Sequence, residues 1–157
     1  MRVNNLVGER GENAVHMCFI KLISGHNGFE PHFLGAKAQL IDFHVALLDE
    51  NGKAFGPHFF VQVKARHGKS VGSFNTGFTS HYVKSAKEGW VPFYVVGVDL
   101  VSNKREDVWL CGLETQTTLN TIPRSHNLKS QTTLKRLYTE VLKHFDSNSY
   151  AFTTTLR

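Results

Sequence analysis

The chain is short of cysteine, of long apolar runs and of repeats, and each shortage removes a class of protein. Cys18 and Cys111 are the two cysteines among 157 residues, and neither belongs to a CxxC pair. A zinc knuckle and a disulfide scaffold are thereby set aside, and a reducing, cytoplasmic setting is expected. No apolar stretch approaches the roughly 20 residues of a membrane span, so no membrane association is expected. The first residues, MRVNNLVGERGENAV, have no hydrophobic h-region, and no secretory signal is expected. There is no internal repeat and no low-complexity tract, and the charges are not gathered in a block.

What is present suits a folded domain. The hydrophobic fraction is 41%, and twelve Phe supply ample core material. The length allows one domain, 1–157, and is too small for two of ordinary size. The formal charge of +5 makes polyanions, nucleic acid first among them, the natural partners. A solvated basic face accounts for the same charge equally well.

Periodicity outlines the elements. Residues 6–23 have helical spacing, with Gly8, Gly11, Val15, Cys18, Phe19 and Leu22 on one face. Glu12 falls at the border of that stripe and Glu9 further out. A carboxylate there is either a site group or a helix-start acid favoured by the dipole, and the wheel weighs the two equally. Strands are expected at 29–34 and 38–48. In the second, Ile41, Phe43, Val45 and Leu47 share one face, and Asp42 and His44 the other. Asn51-Gly52 marks a turn, and FFVQVKA, 59–65, returns as the antiparallel partner. Its Phe59, Val61, Val63 and Ala65 share one face; Phe60, Gln62 and Lys64 share the other. Folding the hairpin sets Asp42 roughly opposite residues 61–64.

An amide and an ammonium on so apolar a strand have a plain reading, an edge strand made soluble, and a sharper one, a site. Further on, RHGKSVGSFNTGFTS reads as a mobile loop, and Thr79 or Ser80 caps a helix running to Gly89. VPFYVVGVDL reads as a buried central strand, and DVWLCGL as its partner through a Ser102-Asn103 turn. Ser130 caps an amphipathic helix with Leu134, Leu137, Tyr138, Val141, Leu142 and Phe145 on one stripe. The order α-β-β-β-α-β-β-α predicts an α/β or α+β sandwich around a mixed sheet.

Glu12 on the first helix, Asp42 on one strand and Gln62-Val63-Lys64 on the next resemble the active-site set of the PD-(D/E)XK nuclease superfamily. Within it, the pattern G-x-x-GE…D…vQvK…W-x-P-x-Y-x-V of a bacterial nuclease-like domain family of unknown function is similar to this chain from about Gly8 to Cys111. The matching pieces are Gly8, Gly11-Glu12, Asp42, Val61-Gln62-Val63-Lys64 and GWVPFYVVGVD. The resemblance implies a restriction-endonuclease-like three-layer sandwich, a central mixed β-sheet flanked by helices, with core order α-β-β-β-α-β. It implies Mg²⁺ or Mn²⁺ held by Asp42, Glu12, Gln62 and the Val63 carbonyl. Glu12, Asp42, Gln62 and Lys64 are then the catalytic set, with Lys64 serving the attacking water.

Gln62 stands where the superfamily commonly has a second acid, as in its Holliday-junction-resolvase-like and Mrr-like branches of Q-x-K form. The site then holds less negative charge, and its hard oxygen donors fit Mg²⁺ or Mn²⁺ rather than zinc. The implied activity is endonucleolytic hydrolysis of phosphodiester bonds in DNA, with a role in prokaryotic antiviral defence. A homodimer or a defence-system partner subunit is the implied assembly. Arg66, Lys69, Lys84 and Lys87 are expected to border the site and contact phosphates. A non-catalytic nucleic-acid-binding or protein-interaction module on the same fold is the alternative, and a toxin-like RNase a third reading.

Overall fold

Three antiparallel strands in succession begin the main sheet, and a parallel neighbour extends it. The computed structural model describes residues 2–23, 27–35, 40–68, 74–78, 84, 90–114, 119–147 and 152–157. In chain order these form α1 (Arg2–Phe19), β1 (Gly28–Phe33), β2 (Phe43–Leu48), β3 (Ala54–His67), β4 (Phe74–Phe78), β5 (Phe93–Ser102), β6 (Arg105–Gly112), β7 (Leu119–Ile122) and α2 (Gln131–Asp146). The result is an α+β protein. Its five-stranded sheet has the order β1-β2-β3-β5-β6, and β4 pairs with β7 in a separate two-stranded sheet. All neighbours in the large sheet are antiparallel except β3 and β5. Parallel neighbours require a crossover, which here occupies the stretch between His67 and Phe93.

Strand parity divides the core in two. Phe43, Val45 and Leu47 of β2, Phe59 and Val61 of β3, and Tyr94, Val96 and Val98 of β5 form one cluster. Val15, Cys18 and Phe19 of α1 and Leu134, Leu137 and Val141 of α2 pack into that same cluster, so both helices cover one face. The opposite face carries Phe93, Val95 and Cys111, packed with Leu119 and Ile122 of β7 and with the half-buried Ile41, Phe60 and Trp109. The expected helix from Thr79 or Ser80 to Gly89 lies outside the described residues except for Lys84, which is helical. Among the described residues the second face is therefore covered by the small sheet. β4 replaces part of the expected mobile loop, and neither it nor β7 was anticipated from the sequence.

Other boundaries shift for local reasons. α1 ends at Phe19, so Leu22 leaves the apolar stripe and is exposed. Leu40 takes a left-handed φ of 70°, and β2 begins only at Phe43 rather than at 38. β3 is longer than expected. Gly56, with φ 119°, and Pro57 lie inside it, where the register with β2 shifts between Ala46 and Leu48. β3 itself lies inside the sheet, between β2 and β5, although its pairing with β2 ends at Val61. The Asn51-Gly52 turn forms as expected. Gly52 has φ 74°, and the Asp49 carboxylate accepts from the backbone N–H groups of Asn51 and Lys53.

Trp90 is 60% exposed. Cys18 and Cys111 are buried free thiols, and burial pushes each up to about 11. No described helix is long and apolar enough to cross a membrane.

Candidate active site

The site begins where β2 stops and β3 continues. Phe43 is opposite Val61, the last register pair between them, and β3 runs on to His67 beside β5 alone. Asp42 closes the end of the ladder. Its backbone N–H donates to the Val61 carbonyl at 2.8 Å, and its Oδ2 accepts from the Val63 N–H at 2.6 Å. A side chain thus takes the place of the next backbone acceptor. In a strand the N–H and C=O of one residue project toward the same edge, so the Val63 carbonyl faces this notch as well. The Leu34 N–H, donating to the Asp42 carbonyl at 2.9 Å, ties the end of β1 to the same point.

Glu12 arrives from the helix side. A Cβ on Gly11 would fall inside contact distance of the Ala65 Cβ and 3.6 Å from Val63 Cγ1, so α1 lies tightly on the end of β3. The next residue, Glu12, is thereby carried toward Asp42. Burial, then the Asp42 charge, then Glu9 raise the Glu12 carboxyl above its ordinary range. Burial also raises Asp42, while the Val63 N–H and the Lys64 ammonium pull it back down. Asp42 is therefore in electrostatic contact with Glu12 on one side and Lys64 on the other.

Gln62 and Lys64 project from the face of β3 opposite α1, in register with Val95 and Gly97 of β5. Gly97 has no side chain to crowd Lys64. Extending the β2–β3 register by one step sets Gln62 across from Asp42. Gln62 is only 8% exposed, and its buried Oε1 has no hydrogen-bond partner among the described residues. A lone buried acceptor costs about 1–3 kcal/mol, so a missing partner there has energetic weight. Among the described residues no group of three or more His, Cys, Asp or Glu is placed to hold a metal. Asp42 stands between two groups, with the Glu12 carboxylate reaching it from the α1 side and the neutral Gln62 amide across from it on the other face of β3.

Of the expected basic border, Arg66 and Lys84 are among the described residues. The Arg66 Nε bonds Asp99 Oδ1 at 2.6 Å, and Arg124 Nη2 bonds Asp99 Oδ2 at 2.5 Å. Asp99 is fully buried, so the Arg66 guanidinium is anchored in an ion triad beside the notch. Arg124 also lies 5.5 Å from the Trp109 ring centre. Lys84 is exposed, and Lys69 and Lys87 lie outside the described residues.

The triad was missed in the sequence, although a signal existed. An acid within the otherwise apolar VPFYVVGVDL run must be paired when that run is buried. His44 stacks on His32 at 5.8 Å and meets His58 at 5.0 Å; burial and those two neighbours lower its pKa.

No known protein family, no curated protein and no solved structure matches the chain.

Proposed function

We propose that the notch is a divalent-metal site for phosphodiester hydrolysis, on a restriction-endonuclease-like fold, and that the protein is an endonuclease acting on DNA. The observation behind it is the buried Gln62 Oε1 across from Asp42, without a hydrogen-bond partner among the described residues, with burial raising the pKa of both Glu12 and Asp42. Oxygen donors of this kind fit Mg²⁺ or Mn²⁺. Asp42, Glu12, Gln62 and the Val63 carbonyl would hold the ion. The α-β-β-β start and the parallel β3–β5 crossover support the fold reading.

Bound there, the ion supplies charge neutralisation at the phosphate and a more acidic water. Asp42, fixed by the Val63 N–H, keeps its carboxylate oriented before substrate arrives. Lys64 directs its ammonium at the attacking water and at the charge that grows on the phosphate oxygens. Arg66, held by Asp99, contributes positive potential without being free to swing away. Cutting both strands of a duplex at once needs two such sites, which a homodimer or a partner subunit supplies, and prokaryotic antiviral defence is the setting we infer.

The test is cleavage of plasmid, single-stranded DNA and RNA across Mg²⁺ and Mn²⁺ titrations. Lys64→Ala is expected to lower the metal-dependent rate by about 10²–10⁴-fold with its melting curve retained. Asp42→Ala is expected to lose activity through metal affinity, so that high Mn²⁺ restores part of it. Absence of metal-dependent cleavage of every nucleic acid by the wild type refutes the proposal and favours the non-catalytic binding module.

A further inference from the structure

Next to Glu12, between α1 and the ends of β1 and β2, is a pocket of about 120 Å³ lined by Glu12, Asn13, His16, Phe33 and Phe43. We propose that it receives one unpaired nucleobase of the strand whose phosphate lies at Asp42. The inference rests on the hydrolase reading above and deepens it, because it makes single-stranded or locally unpaired nucleic acid the preferred substrate.

Size, chemistry and position agree on that occupant. A volume of about 120 Å³ admits only a small group. That is too little for a drug-sized ligand, whose sites span about 300–1,000 Å³, and suits one planar ring system. Its floor is the Phe43 ring, only 1% exposed, and its outer wall is the Phe33 ring, 54% exposed at the end of the edge strand β1. The two ring centres are 5.4 Å apart at 54°, and the His16 ring is 6.3 Å from Phe43.

Glu12 and His16 are one helical turn apart and so share a face of α1. Among the described residues, neither Asn13 nor His16 has a side-chain hydrogen bond, so an amide and an imidazole are available to the edge of a base. The Glu12 carboxylate in the wall repels a phosphate and thereby favours the uncharged base over the backbone. Continuity with the notch is direct. Glu12 belongs to both, and Phe43 follows Asp42 in the chain, about 3.3 Å along.

A base inside a duplex has both faces stacked and its pairing edge occupied, so it cannot enter such a pocket. An unpaired base offers a ring face to the exposed Phe33 ring and its edge to Asn13 and His16.

The experiment measures binding by fluorescence anisotropy in EDTA, where no metal-dependent cutting occurs. Three probes are used: a short single-stranded oligonucleotide, the same strand with abasic sugars throughout, and a blunt duplex. The wild type is expected to prefer the single strand over the other two. Phe33→Ala is expected to weaken single-strand binding about 5- to 150-fold, the range for one lost base–aromatic stack, and to leave abasic binding unchanged. Asn13→Ala, on the exposed side of the helix, should give a smaller loss on the same probe only.

Equal losses on the normal and abasic strands, or none on either, overturn the base pocket. Metal-dependent cleavage by the wild type, measured in parallel, separates the two ideas. Cleavage without base-dependent binding overturns the pocket alone, whereas neither cleavage nor binding of any probe overturns both.

Discussion

Among the described residues, the Gln62 side-chain oxygen has no partner in a position only 8% exposed. An apolar residue of that shape would avoid the cost of about 1–3 kcal/mol, and on the proposed reading the amide serves a cation. Gln62→Glu tests this from the opposite direction. A carboxylate across from Asp42 should destabilise the metal-free protein by about 1–3 kcal/mol, since a buried charge without a partner costs more than a neutral group. The same substitution should tighten Mg²⁺ and Mn²⁺ binding through added negative charge. Thermal melts in EDTA and in Mn²⁺, with a calorimetric titration of the ion, measure both. Melting shifts of equal size in the two media would remove the metal from the argument. The alternation placing Gln62 and Lys64 on one face was legible in the sequence. The burial of Gln62 was not, because an edge strand and a central strand can share the same two-residue period.

At the scale of elements, Gly8 and Gly11 look alike in the sequence and differ in the structure. A Cβ on Gly11 would collide with Ala65 of β3, whereas a Cβ on Gly8 meets nothing within 4 Å. Gly11→Ala is therefore expected to lower stability by about 1–3 kcal/mol through overpacking. It should lower the cleavage rate as well, because α1 must withdraw and take Glu12 away from Asp42. Gly8→Ala should raise stability by about 0.5–1 kcal/mol, the usual gain from replacing glycine inside a helix. Chemical denaturation of both variants decides, and a Gly11→Ala protein as stable as the wild type would refute the close approach. Helical spacing in the sequence revealed α1 and its buried stripe. It did not reveal its last turn, since Leu22 fits the period but lies beyond the point where the chain turns toward β1. β2 was likewise expected to start at 38, because Ile41 continues the alternation. Ile41 instead packs with the second cluster across the sheet.

For the whole molecule, the two raised carboxyls predict how stability changes with pH. Glu12 and Asp42 both lie above their ordinary values of 4.5 and 3.8, with burial the first cause in each. A carboxyl raised in the folded state holds its proton more tightly there than in the unfolded chain. Its contribution to stability is complete below the ordinary value and is lost as pH rises through the raised one. In EDTA the melting temperature of the wild type should therefore fall, relative to a Glu12→Gln, Asp42→Asn protein, as pH rises from below 3.8 toward neutrality. Added Mn²⁺ should recover the difference at neutral pH, where the carboxylates are charged, and not in acid, where they are protonated. Parallel pH profiles for the two proteins would show that the pair carries no such strain.

By itself the sequence determined what depends on near neighbours: the two amphipathic helices, the turn at Asn51-Gly52, the hairpin of β2 and β3, and the shared face of Gln62 and Lys64. Those follow from periodicity and from backbone preferences of a few adjacent residues. The tertiary structure alone decided that both described helices share one face and that β4 pairs with β7. It also decided that Asp99 binds Arg66 and Arg124, and that Asp42 caps the end of a ladder between Glu12 and Lys64. These features join residues far apart in the chain, so they depend on strand register, on the crossover and on how closely α1 can approach β3, none of which has a local period.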